Sequence, residues 1–152
     1  MEYKPTHKQL VQRVARWFKS KHRSSIVMTE FSTSARETPD IIVWESGAKS
    51  VLVECKISRA DFLSDKEKFF RKYEGYGMGD YRYYAAPVGM IKPEDLPEGW
   101  GLLEVEERFI YKKIESQYYS ADKRSECLML ISALRRLEIS TAVFVREESE
   151  LH

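Results

Sequence analysis

The amino-acid order predicts a mixed α/β (α+β) domain, one mixed sheet flanked by helices, with the element order αβββαβ and an added C-terminal helix. Three observations carry this. Leu10, Val14, Trp17 and Phe18 recur at helical spacing. The β-branched runs Ile41-Ile42-Val43-Trp44 and Val51-Leu52-Val53 enclose the turn-like segment Glu45-Ser46-Gly47-Ala48-Lys49. Ser58 to Asp61 then reads as a helix start directly after the second run. The 152 residues suit a single domain, 1–152, and no internal repeat or composition break divides them.

Taken in order, Thr6-His7-Lys8-Gln9 is a capping box that starts helix one, with an apolar stripe suited to packing on a sheet. Ile26, Val27, Met28 and Phe31 give a first strand over about 25–31. Pro39 holds its predecessor extended, and Asp40 to Trp44 and Ser50 to Ile57 form a hairpin. Helix two is expected over 59–74, ended by Gly75, Gly77 and Gly79. Asp80 to Ala86 suits a buried strand broken by Pro87, and further strands follow near 101–106 and 109–114. Cys127, Leu128, Ile131, Leu134 and Leu137 mark a late amphipathic helix over 121–138.

Hydrophobic residues make up 43% and charged residues 32%, the balance of an ordinary globular protein. No stretch approaches the ~18 consecutive apolar residues of a membrane span, and Met1 to Pro5 show no signal-peptide core, so a cytoplasmic protein without a membrane partner is expected. Cys55 and Cys127 suggest neither a disulfide framework nor a zinc ribbon. The net charge of +1 is distributed as +5 over residues 1–38 (8 basic, 3 acidic), 0 over 39–90 (8 and 8) and −4 over 91–152 (9 and 13). Coating nucleic acid by bulk charge is therefore excluded, while a local phosphate-binding face is allowed.

The chemistry concentrates in the hairpin. Glu54 and Lys56 lie two apart on a strand and so share a face. If Trp44 pairs with Leu52, Ile42 faces Glu54 and Asp40 faces Lys56, which gathers all three charges at one end. Asp40 and Glu54 offer the hard oxygen ligands that Mg²⁺ prefers, and Lys56 is placed to orient an attacking water or stabilise a pentavalent phosphate. The plain alternative is a same-face ion pair of small energetic value. Against it, these charges sit within apolar runs, where an unpaired charge is costly.

Thr38-Pro39-Asp40, thirteen residues, then Glu54-Cys55-Lys56 resembles the Pro-Asp…(Asp/Glu)-x-Lys signature of the restriction-endonuclease-like, PD-(D/E)xK nuclease superfamily. The run from Val53 to Asp65, with Tyr83-Tyr84-Ala85-Ala86-Pro87, is similar to the MmcB-like DNA-repair branch, over about residues 26–106. The resemblance implies a restriction-endonuclease-like αβββαβ core and a Mg²⁺-dependent (endo)deoxyribonuclease, with Mn²⁺ as a substitute, in DNA repair, restriction or phage and mobile-element DNA processing. It implies Asp40 and Glu54 as metal ligands and Lys56 as the catalytic lysine. Glu30 would be an additional acid near the metal, with a solvated strand end as its ordinary reading. The alternative is a catalytically silent DNA- or protein-binding module on the same fold.

Arg59, Lys66 and Lys68 on helix two, and Lys21 and Arg23 where helix one ends, are the candidate DNA-phosphate contacts; solvated helix charges are their ordinary reading. Asp61 fits a capping role. His7, His22 and His152 show no metal-ligand spacing, and Gly75-Tyr76-Gly77-Met78-Gly79 follows a helix and precedes a strand, so neither zinc hydrolysis nor a nucleotide cofactor is expected. A homodimer would suit duplex cleavage.

Overall fold

The computed structural model describes residues 2–30, 38–67 and 77–137. The elements are α1 (His7–Lys21), β1 (Ile26–Thr29), β2 (Ile41–Trp44), β3 (Ser50–Cys55), α2 (Arg59–Lys66), β4 (Tyr81–Pro87), β5 (Gly101–Val105), β6 (Ile110–Ile114) and α3 (Lys123–Arg136). The six strands form one sheet in the order β1-β2-β3-β4-β5-β6. The β3–β4 and β4–β5 pairs are parallel; β1–β2, β2–β3 and β5–β6 are antiparallel. This is the predicted αβββαβ order, continued by two strands and a C-terminal helix.

α1 starts as predicted. Thr6 Oγ1 accepts the Gln9 N–H at 3.1 Å and Gln9 Oε1 accepts the Thr6 N–H at 2.9 Å, closing two donors that a helix start leaves unsatisfied. Its Leu10, Val11 and Val14 pack on Ile41, Val43, Val51, Val53, Cys55, Tyr83, Ala85, Leu103 and Val105. The opposite sheet face carries Ile42, Trp44, Leu52, Tyr84, Ala86 and Leu102, covered by Phe62 of α2 and Met129 of α3. Alternate residues of β2, β3 and β4 thus feed two separate apolar layers, which is why these strands read as continuous apolar runs.

The hairpin register differs from the expectation. Trp44 pairs with Ser50 and Ile42 with Leu52, two residues short of the predicted alignment. A compact 3-10 turn, Ser46–Ala48, connects the strands, with Gly47 at φ +75 and Ala48 at φ +60, and Glu45 N–H donates to Lys49 O at 2.7 Å. Closing the hairpin that tightly leaves no room for the longer loop that a Trp44–Leu52 pair requires. An even shift preserves which face each residue occupies. One step beyond the Ile41–Val53 pair, Asp40 is therefore level with Glu54, where the expectation put Lys56.

Two other expectations are revised. The strand expected over Asp80 to Ala86 and ended by Pro87 is seen as Tyr81–Pro87, with Pro87 its last residue, aligned with Val105. On α3 the predicted apolar set points outward: Cys127, Leu128, Ile131, Leu134 and Leu137 are exposed, while Glu126 and Met129 face the sheet. The Glu126 carboxylate fixes this rotation. It accepts Trp44 Nε1 at 3.1 Å, Ser50 Oγ at 2.8 Å, Gly79 N at 2.8 Å and Lys123 Nζ at 3.1 Å. A buried carboxylate must keep such partners. Helix two is seen over Arg59–Lys66; the remainder of its predicted span, with Phe69, Phe70, Tyr73 and Gly75, lies outside the described residues.

Candidate active site and metal centre

At one end of the sheet the start of α1, the end of β1, the start of β2 and the end of β3 converge. Glu30 follows β1 at φ +45, a left-handed backbone uncommon for a residue with a Cβ, and its N–H still donates to Asp40 O at 2.8 Å. The Asp40 carboxylate is turned toward β3, where Oδ2 accepts the Cys55 N–H at 2.8 Å. His7, the first residue of α1, lies between the two acids: Nδ1 is 3.3 Å from Glu30 Oε1 and Nε2 is 3.3 Å from Asp40 Oδ2. Among the described residues, His7, Glu30 and Asp40 form a group whose candidate metal-ligating atoms lie within 4.8 Å of one another; Glu54 is not in it.

Glu54 and Lys56 continue the alternation of Leu52 toward α2. Glu54 is buried and level with Tyr84 of β4. Lys56 N–H donates to Ala85 O at 2.9 Å, and its Nζ lies 3.5 Å from Asp65 Oδ1. Asp65, on α2, is itself buried and its Oδ2 accepts the Tyr84 hydroxyl at 2.5 Å. Tyr84 is locked between Phe62 and Trp100, with ring centroids 4.9 Å and 4.6 Å away. A rigid aromatic cluster thereby holds the lysine through one carboxylate.

The charges meet around Cys55. Burial pushes its thiol well above the ordinary range, and the carboxylates of Asp40, then Glu54, push it further; Lys56 opposes them and Glu30 adds to them. Cys55 is thus a protonated, apolar member of the layer under α1 and supplies no nucleophile.

Of the candidate phosphate contacts, Arg59 Nη2 pairs with Asp95 Oδ2 at 2.5 Å and Lys66 Nζ donates to Asp95 O at 3.3 Å, so both tie α2 to the turn Pro93–Asp95. Arg59 opens α2 three residues after Lys56. Ser58 caps α2, its Oγ accepting the N–H of Asp61, the third helical residue, at 3.2 Å. Lys68 lies outside the described residues. Lys21 ends α1, and Arg23 follows it, so fourteen residues of helix, about 21 Å, separate Lys21 from His7. Lys21 Nζ lies 3.6 Å from the Trp17 ring centroid beside a cleft of about 280 Å³ shared with Lys112 and Glu115. Burial first, and Lys112 second, hold its pKa below the ordinary lysine range, partly offset by Glu115. Lys21 and Arg23 therefore do not converge on the Asp40 end.

His7 is the residue that the sequence did not reveal. Metal-ligand spacing is a local signal, whereas His7 joins partners from two other elements. The capping box, which fixes His7 as the first helical residue, was the available clue.

No protein-family model and no curated protein matches the chain. Among solved structures, the chain is similar to the SPO1766 protein of unknown function from Silicibacter pomeroyi, at 22% identity over 88% of this chain and 90% of that one, with a TM-score of 0.67. At that identity the likeness concerns the fold alone. Among the described residues no helix is long and apolar enough to cross a membrane.

Proposed function

We propose that this chain is a cytoplasmic, Mg²⁺-dependent deoxyribonuclease of the restriction-endonuclease-like, PD-(D/E)xK type. The observation that carries the reading is the hairpin register: the ladder ends at the Ile41–Val53 pair, which puts Asp40 and Glu54 next along the two chains, with Lys56 just past the end of β3. The oxygen donors suit a hard divalent cation, since Glu54 is buried at a strand end and the Asp40 side chain is 17% exposed, open to water and substrate. Asp40 and Glu54 would hold the ion, which when bound neutralises a scissile phosphate and lowers the pKa of a water.

The chain's own groups account for the rest. The Cys55 N–H orients Asp40. Asp65 pairs with Lys56, whose ammonium would donate to a phosphate oxygen or to the attacking water. Arg59, at the start of α2, supplies a backbone phosphate contact once it exchanges Asp95 for DNA.

The test is incubation of the purified chain with single-stranded, duplex and branched DNA in Mg²⁺, Mn²⁺ or chelator, beside Asp40→Ala. Cleavage that requires the metal and is lost in the variant is the expected result. Cleavage that survives chelator overturns the mechanism, and metal-independent DNA binding without cleavage favours a silent binding module.

A further inference from the structure

We infer that His7 is a metal ligand and that it makes this site prefer a first-row transition ion, Mn²⁺ above all, over Mg²⁺. The inference rests on the reading above in placing a divalent ion at Asp40, and goes beyond it in ligand set and metal preference.

Adjacent ligands of an octahedral ion at about 2.1 Å sit about 3 Å apart and opposite ones about 4.2 Å. The 3.3 Å between His7 Nε2 and Asp40 Oδ2 is close to the adjacent spacing. The other imidazole nitrogen is already engaged, since Nδ1 faces Glu30 Oε1 at 3.3 Å. A histidine that ligates through one nitrogen almost always donates the other N–H to a carboxylate, a backbone carbonyl or water, which fixes its tautomer and ring plane. Glu30 is thereby a positioning residue and Asp40 a ligand, with the Cys55 N–H steadying Asp40 in turn.

The side chains of His7 and Glu30 are 41% and 51% exposed, which leaves the remaining coordination positions open to water and a phosphate oxygen. Mg²⁺ is bound through oxygen and sheds its waters reluctantly, whereas an imidazole nitrogen suits transition ions.

The experiment is calorimetric titration of the full chain with Mn²⁺ and with Mg²⁺, for wild type, His7→Ala, His7→Gln and Glu30→Gln, with circular dichroism checking each fold. An orienting partner alone is worth about 10–100-fold in metal affinity, so losing the ligand itself should weaken Mn²⁺ by at least about tenfold. Mg²⁺ affinity should barely change. Glu30→Gln, which keeps an acceptor, should fall between wild type and His7→Ala. If His7→Ala and His7→Gln fail to fold, paramagnetic broadening of the His7 ring signals by substoichiometric Mn²⁺ in the wild type decides, and its absence overturns the inference. Equal Mn²⁺ affinity in wild type and His7→Ala also overturns it. Mn²⁺ bound at His7 without cleavage of any DNA would instead sink the nuclease reading and leave this site standing, whereas Mg²⁺-dependent cleavage indifferent to His7 would do the reverse.

Discussion

Replacing Asp65 by asparagine tests how the site's lysine is held. Asp65 is 2% exposed and the Lys56 side chain 13%, so their 3.5 Å contact is little screened by solvent. Removing one partner of a buried pair costs about 3–5 kcal/mol. Asparagine still presents an oxygen to the Tyr84 hydroxyl, so Asp65→Asn should sit at the low end, about 3 kcal/mol. With a urea slope of about 2 kcal/mol per molar, the unfolding midpoint falls by about 1.5 M. Lys56→Met removes the lysine from the buried Asp65 carboxylate and should cost a similar amount. The double variant loses that one contact only once, so the two losses should fail to add by at least about 1.5 kcal/mol. Urea unfolding followed by circular dichroism measures all four proteins, and strictly additive losses would refute the claim that Asp65 holds Lys56.

Glu126→Ala should cost about 3–5 kcal/mol, because it strips the acceptor from Trp44 Nε1, Ser50 Oγ, Gly79 N and Lys123 Nζ together. A loss under about 1 kcal/mol by denaturant titration would mean that this network does not anchor α3. In thiol titration of the native protein, Cys127 should react and Cys55 should stay silent until denaturant is added, since Cys55 is buried with its thiol pushed up by burial and by Asp40 and Glu54. Rapid labelling of Cys55 in the folded state would place the strand end in water.

Much of this fold was legible because each element carried its own local signal. Thr6 and Gln9 close the capping box they encode, and the alternation in Ile41 to Trp44 and Ser50 to Cys55 assigned faces correctly even where the pairing differed by two. The register was not legible because it depends on Gly47 and Ala48 adopting positive φ in a short turn, a property of the closed loop and not of either strand. The rotation of α3 was missed for a related reason. Its most apolar residues suggested the buried side, but the four bonds of Glu126 outweigh them and turn Leu128, Ile131 and Leu134 outward. Within the site, Asp40, Glu54 and Lys56 are readable as a motif, whereas His7 is brought beside Asp40 only by packing α1 across the sheet.

The proposed activity stands most directly on the cleavage rate of Lys56→Ala against wild type, measured on the same DNA at saturating metal with metal affinity recorded in parallel. The account predicts that cleavage falls at least about 100-fold, as for removal of one group that stabilises developing charge, while the variant still binds metal. Undiminished cleavage by a folded, metal-bound Lys56→Ala protein would contradict it.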